Sequence, residues 1–362
     1  MRRKLFAAMT LAALAMSATV SAQEYDEDVG AVYAMTNAPD GNQVVIFDRD
    51  AHGILRKAGM VSTQGTGSGG DLDALASQGS VMLSQDQNWL LVANAGSNDV
   101  SVFRTSRDNL RLAYKASVGN MSPISIAVFH DLVYVLGTGA APSITGFQLT
   151  HSGKLNPLPN STRLLGSGSF AQVSFDPDGD NLVITDKAGK RILVYSVSEN
   201  GVPAADPVVS TSAGITPFGM TFDRRGHLLV VEATTNGVSS YDIRRDDSLQ
   251  VISASVLNGQ KAACWIATNG NRYAFTTNPV TQSISSYRVE PKSGSVTLIA
   301  GVAAQGNRPL DLATTRNGRF LYALDPGSGA IDEFRIEHDG SLVNLGAVPG
   351  GFSIFAQGIA VR

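Results

Sequence analysis

Glu232 has the clearest chemical potential of any residue in this 362-residue chain. It ends the apolar run Leu228-Leu229-Val230-Val231, where a carboxylate carries a desolvation cost unless a partner offsets it. A carboxyl whose pKa is raised in this way suits general acid or base work near neutral pH. Asn37, Asn94, Asp186, Asn278 and Asp325 occupy the equivalent place, at or just after the end of a short apolar segment. A second set, Ser80, Ser125, Gln172, Gly219, Trp265, Asp311 and Gln357, stands at or near the start of the segment before it. From these sets Gln172, Trp265, Asp311, Asn94, Asn278 and Gln357 are the candidate ligand contacts, amides and a carboxyl with one large aromatic. Asn and Asp at strand ends also form side-chain turns, so a purely structural role stands beside the functional one.

The segments that position these residues recur seven times. One copy of the pattern reads Leu182-Val183-Ile184, a turn, then Ile192-Leu193-Val194-Tyr195; another reads Leu321-Tyr322-Ala323, then Ile331-Asp332-Glu333-Phe334. Every copy of the later segment ends in an aromatic residue: Phe47, Phe103, Phe147, Tyr195, Tyr241, Tyr287 and Phe334. A spacing of roughly 43 to 49 residues fits four strands per propeller blade, not the helical pairs of a solenoid. Period-two alternation and turns such as Asp178-Gly179, Asn317-Gly318 and Asp339-Gly340 argue for antiparallel strands. The expectation is an all-β, seven-bladed propeller over residues 23–362. The first repeat lacks its initial strand and the run from Phe355 to Val361 supplies one, so the C-terminal strand closes the ring and leaves no open edge. In such a ring the starts of inner strands and the ends of second strands gather at one channel mouth, the default place for a ligand.

Composition narrows the remaining classes. Arg2, Arg3 and Lys4, an apolar run from Leu5 to Ala15, and small residues before Gln23 read as a secretory signal peptide over residues 1–22, cleaved after Ala22. Periplasmic or secreted localisation follows, with no membrane span once the leader is removed. Loss of those three cations takes the formal charge from −3 to about −6, which disfavours nucleic acid. A single cysteine, Cys264, excludes an intramolecular disulfide, and its Ala-Ala-Cys-Trp-Ile context makes it a packed thiol. The five histidines lack zinc-site spacing, and no Gly-x-Ser-x-Gly elbow is present. Asp186, Glu232, Asp311 and Asp325 offer oxygen ligands suited to a hard cation such as Ca²⁺, although no metal is expected to be required. The insertion between the first two repeats carries Gly65-Thr66-Gly67-Ser68-Gly69-Gly70-Asp71. It reads equally as a lid over the mouth or as a passive linker.

The stretches Phe175-Asp176-Pro177-Asp178-Gly179, Asn94-Ala95-Gly96-Ser97-Asn98-Asp99 and Arg319-Phe320-Leu321-Tyr322 resemble the seven-bladed propeller family that includes 6-phosphogluconolactonase and the carboxymuconate lactonising enzymes. The resemblance implies opening or forming of a lactone ring without a required metal. By position it assigns Asp186 and Arg191 to the catalytic set with Glu232. Trp265 becomes an apolar wall for the substrate. The pattern departs from the family at Ala171, where His is usual, and at Phe218-Gly219, which replaces an Arg-His pair. Loss of those cations points to a neutral or weakly charged lactone. The alternative is a non-catalytic, monomeric propeller that binds a small molecule, glycan or protein on the same face.

Overall fold

A computed structural model describes residues 29–106, 109–119 and 121–362 of the protein; the leader expected over residues 1–22 lies outside them. The described strands form seven antiparallel sheets of the predicted propeller. Blade 4 shows the plan, with Phe170–Phe175 innermost, followed by Asn181–Asp186, Arg191–Ser196 and Val208–Thr211. Blade 3 departs from it slightly. Its outer edge is divided between Leu155–Pro157 and Arg163–Leu164, which both pair with Ser143–Leu149. Ile359–Val361 pairs antiparallel with Val32–Ala34 of blade 1, so the C-terminus closes the ring.

The repeated sequence pattern has a simple physical origin. Second strands are buried on both faces between neighbouring blades and read as unbroken apolar runs. Trp89–Asn94, Asn181–Asp186, Tyr273–Asn278 and Phe320–Asp325 are buried at every position. Outer strands touch water on one side, and Leu55–Ser62 is mostly exposed. All seven third-strand aromatics are at most 2% exposed, so these rings are the wedges between blades. Among the described residues no helix is long and apolar enough to cross a membrane.

Inner strands of blades 3, 4 and 5 share an irregularity at their first residues, where the register with the second strand shifts. Such bulges release backbone groups from the ladder and re-aim side chains. They lie at one mouth of the channel, the mouth to which the sequence assigns the site.

Blade 7 holds a buried acidic pair. Burial, and then the adjacent Asp325 carboxyl, pushes Asp332 up to about 7 from 3.8. The native state therefore holds a proton that the unfolded chain releases near pH 4, so this contribution to stability is complete at low pH and disappears as pH rises through 7. Asp332→Asn is expected to raise the melting temperature at pH 8 by about 2 °C or more while leaving it nearly unchanged at pH 4. Thermal unfolding at both pH values checks this; equal shifts at the two would sink it.

Candidate functional site

The predicted residues divide into two groups. Gln172, Trp265, Asp311 and Gln357 do converge at the mouth and the channel beneath it. The acids and amides that end the second strands point instead into the blades and are consumed there.

Asn94 donates from Nδ2 to Asp99 Oδ1 (2.6 Å) and Ser101 Oγ (2.8 Å), and its Oδ1 accepts from Asn42 Nδ2 (2.9 Å). Asn278 repeats the arrangement, donating to Ser285 Oγ (2.9 Å) and accepting from Asn258 Nδ2 (2.9 Å). Asp186 accepts from Arg191 Nε (2.8 Å) and from the backbone N–H groups of Ser169 (3.0 Å) and Gly189 (3.1 Å). Arg191 is thereby turned to a structural ion pair. Glu232 is fully buried, with Oε1 accepting from Ser212 Oγ (2.6 Å) and Tyr241 OH (3.2 Å). Burial raises its pKa, as its apolar flank suggests, but nothing reaches it from solvent. Asp325 accepts from the backbone N–H groups of Asn307 and Ser328. Among the described residues no group of three or more His, Cys, Asp or Glu side chains is placed to hold a metal ion. Asp186, Glu232, Asp311 and Asp325 are thus not brought together as one ligand set.

The connection between blades 1 and 2 corrects a second expectation. It is neither a free lid nor a passive linker. Its glycine-rich half is strapped to both blades, with Ser68 N–H donating to Asn37 Oδ1 (2.9 Å) and Gly96 N–H to Thr66 O (3.0 Å). Its second half, residues 72–80, enters the mouth as a plug. Gln78 pairs its side-chain amide with a backbone unit of blade 6, donating from Nε2 to Ile266 O (2.7 Å) and accepting from Ile266 N–H (3.1 Å). Its own N–H donates to Ala171 O of blade 4 (3.2 Å), and Ser77 Oγ donates to Ile124 O of blade 3 (2.8 Å). Both carbonyls lie at the inner-strand bulges. Ser77 O accepts from Trp265 Nε1 (2.8 Å) and Gln357 Nε2 (2.7 Å). Trp265 is covered by the plug and stacked edge-on against Phe218 at 5.3 Å, so it is core and not a substrate wall.

The small residues at the departing positions make room for this plug. A Cβ on Gly219 would stand 2.2 Å from Gln78 Oε1 and 2.7 Å from the backbone carbonyl oxygen of Cys264, so the plug side chain and the adjoining backbone would have to shift. Ala171 and Gly219 are both small, and the plug is seated against them.

Polar chemistry returns with the plug. Asp73 is partly buried at the mouth, accepts from Gln357 Nε2 (3.0 Å), and has a left-handed backbone, φ 60°. Ala76 is left-handed too, φ 48°. Burial lifts the Asp73 carboxyl to about 7, against the opposing pull of the Lys187 ammonium. Lys187 itself is lowered by burial, with Asp73 restoring part of the loss. Its Nζ donates to Ala76 O (2.5 Å) and lies 5.0 Å from the Phe218 ring centroid, a cation–π placement. Cys264 is buried beside this pair and its thiol is pushed upward, which leaves it an inert packing group.

Below the plug a cavity of about 450 Å³ follows the inner strands of all seven blades toward the opposite face. Gln78, Gln172 and Asp311 line its plugged end, and Phe129, Pro177, Phe222 and Thr314 its far end. Gln172 Oε1 accepts from Met220 N–H (2.7 Å) and ties blade 4 to blade 5. Asp311 is 3% exposed, and burial, with Asp73 nearby, holds its carboxyl well above the usual range.

Sequence reasoning missed Asp73 and Lys187. Asp73 lies in an insertion with no counterpart in the other repeats, so laying the copies over one another cannot place it. Lys187 directly follows a second-strand end in Asp186-Lys187, and it was legible as a long side chain at the rim.

Comparison with known proteins agrees with this architecture. The family model described as Lactonase, 7-bladed beta-propeller, matches residues 169–351. The 6-phosphogluconolactonase of Serratia proteamaculans is 23% identical over 261 residues, covering 66% of this chain and 76% of that protein. The periplasmic gluconolactonase of Pseudomonas aeruginosa superposes with a TM-score of 0.70 at 15% identity, over 92% of this chain and 98% of that one. A protein from Lactobacillus plantarum gives 0.75 at 13%, over 92% and 99%. The family match spans blades 4 to 7 and the superpositions nearly the whole ring, so this chain is a lactonase-type propeller, a member of the seven-bladed β-propeller lactonase family.

Proposed function

We propose that the protein is an exported enzyme that hydrolyses a neutral lactone at the plugged mouth, with Asp73 as general base and Lys187 as the charge that faces the developing oxyanion. The observation that carries this reading is the Asp73 carboxyl, bonded to Gln357 in a plug that Lys187 also grips through Ala76 O, at the mouth of a lactonase-type propeller; burial lifts that carboxyl to about 7 and the Lys187 charge acts on it. A base poised at this value is half ionised at neutral pH and still strong enough to accept a proton from water.

In the step envisaged, Asp73 takes a proton from water as the water oxygen attacks the lactone carbonyl carbon. The carbonyl electron pair moves onto oxygen, beside the Lys187 ammonium. Collapse re-forms the carbonyl and breaks the ring C–O bond, and the departing alkoxide takes the proton held by Asp73. The product is a hydroxy acid. Substrate charge follows from the same cluster, where Lys187 is already faced by two acids, Asp73 and Asp186. A phosphorylated lactone would meet too little positive charge there. Export rests on the basic and apolar leader of the sequence.

A hydrolysis panel of neutral γ- and δ-lactones, with and without chelator, tests this reading. Turnover that survives chelation is expected, since Lys187 supplies the positive charge. Lys187→Met is expected to lower kcat by about 100-fold with a smaller change in KM. No turnover of any lactone would sink the proposal and favour the non-catalytic binding propeller, for which the occupied mouth is the supporting observation.

A further inference from the structure

The face opposite the plug carries a different chemistry. Turns at residues 223–226 of blade 5, 269–272 of blade 6 and 317–319 of blade 7 border a groove of about 600 Å³, within the range of small-molecule sites. Four arginines line it, Arg224, Arg225, Arg272 and Arg319, against two acids, Asp223 and Glu337. Both acids are already engaged. Asp223 Oδ2 meets His227 Nδ1 at 2.7 Å, and Glu337 Oε1 accepts from Arg335 Nε at 2.7 Å. Among the described residues no carboxylate lies within ion-pair distance of Arg224, Arg225 or Arg272.

Arg224 is also positioned across the blade boundary. A Cβ on Gly270 would stand 3.0 Å from Arg224 Nε, so the glycine leaves space for this side chain to cross onto the turn of blade 6. Arg272 rises from that same turn. Arg224, Arg225 and Arg272 are exposed, and they bring three guanidinium groups without a carboxylate partner among the described residues to one concavity. They are unexpected in a chain of formal charge −3, so general basicity does not explain them.

We propose that this groove is a binding site for a small, multiply charged oxyanion, the chemistry shared by phosphate esters and polycarboxylates. Guanidinium forks match the paired oxygens of both groups, and bonds with charge on each partner are about twice as strong as neutral ones. The site is separate from the plugged mouth and does not depend on the lactonase reading. A ligand here would reach the ring from the side where the central cavity ends.

Calorimetric titration of the full chain with pyrophosphate and, separately, with citrate at low ionic strength tests the assignment. Saturable one-to-one binding of either probe is expected, with pyrophosphate pointing to phosphate esters and citrate to polycarboxylates. The Arg224→Gln/Arg272→Gln variant should weaken it by about 10-fold or more. Arg272→Gln alone should weaken it in the same direction and serves if the double variant does not fold. Arg244→Gln, an exposed arginine on the outer part of blade 5 bonded to Gln250, should bind as the parent does. The proposal is overturned if neither probe saturates, or if Arg244→Gln and the groove variants lose equal affinity.

Discussion

Asp73→Asn is expected to lower kcat/KM for lactone hydrolysis by about 100-fold or more, the usual range for loss of a general base. The amide is close in size and keeps an oxygen to accept from Gln357 Nε2, so the hydrogen bond at 3.0 Å and the seat of the plug should survive. What is lost is the ability to take a proton. The pH profile makes the test specific. Asp73 acts as a base only when ionised, and burial places its pKa at about 7, so kcat/KM should climb through an acid limb centred there. In Asp73→Asn that limb should vanish and the residual rate should be flat across it. Glu232→Gln should retain the limb, because Glu232 is sealed between Ser212 and Tyr241 and its titration is not exposed to substrate. A full acid limb in Asp73→Asn, or its loss in Glu232→Gln, would remove Asp73 from the mechanism.

Gln78→Ala is expected to destabilise the folded protein by about 2–4 kcal/mol. The Gln78 side chain satisfies both the N–H and the carbonyl of Ile266, at 3.1 and 2.7 Å, in a setting that is nearly dry. Truncation leaves both groups buried without those partners, and each costs about 1–3 kcal/mol. It also opens the space beside Gly219 that the amide fills. Urea unfolding should show a lower midpoint with an unchanged slope. Lactone turnover should fall as well, because residues 72–80 carry Asp73. Gln85→Ala provides the control: Gln85 accepts from His130 N–H at an exposed site and should shift stability by less than about 0.5 kcal/mol. Equal effects of the two changes would show that the plug contributes little to holding the ring.

Much of the architecture was legible in the chain itself. A second strand packed between two blades must be apolar at every position, so Leu182-Val183-Ile184 and its equivalents announce themselves. The third-strand aromatics, from Phe47 to Phe334, mark the wedge between blades in every copy. Closure by the C-terminal strand followed from a missing strand at one end and a spare one at the other, and Ile359–Val361 fills that role.

The direction in which polar side chains point was a tertiary decision. Asn94, Asp186, Glu232 and Asn278 occupy the strand ends assigned to them, yet each finds nearer partners within its own blade or the preceding one. Spacing sets the level of a residue along the channel axis but not its rotamer, and local donors compete at that level. The use of the glycine-rich insertion was equally beyond periodicity, since it occurs once and bonds to residues up to 284 positions away, as Asp73 Oδ1 does in accepting from Gln357 Nε2. Sequence by itself determined the seven-bladed ring, because alternation and burial are local consequences of residue type. Only the tertiary structure decided that the mouth is filled by the connection between blades 1 and 2 and that Lys187 bonds the plug that carries Asp73, because contacts between distant segments depend on which surfaces the closed ring leaves open.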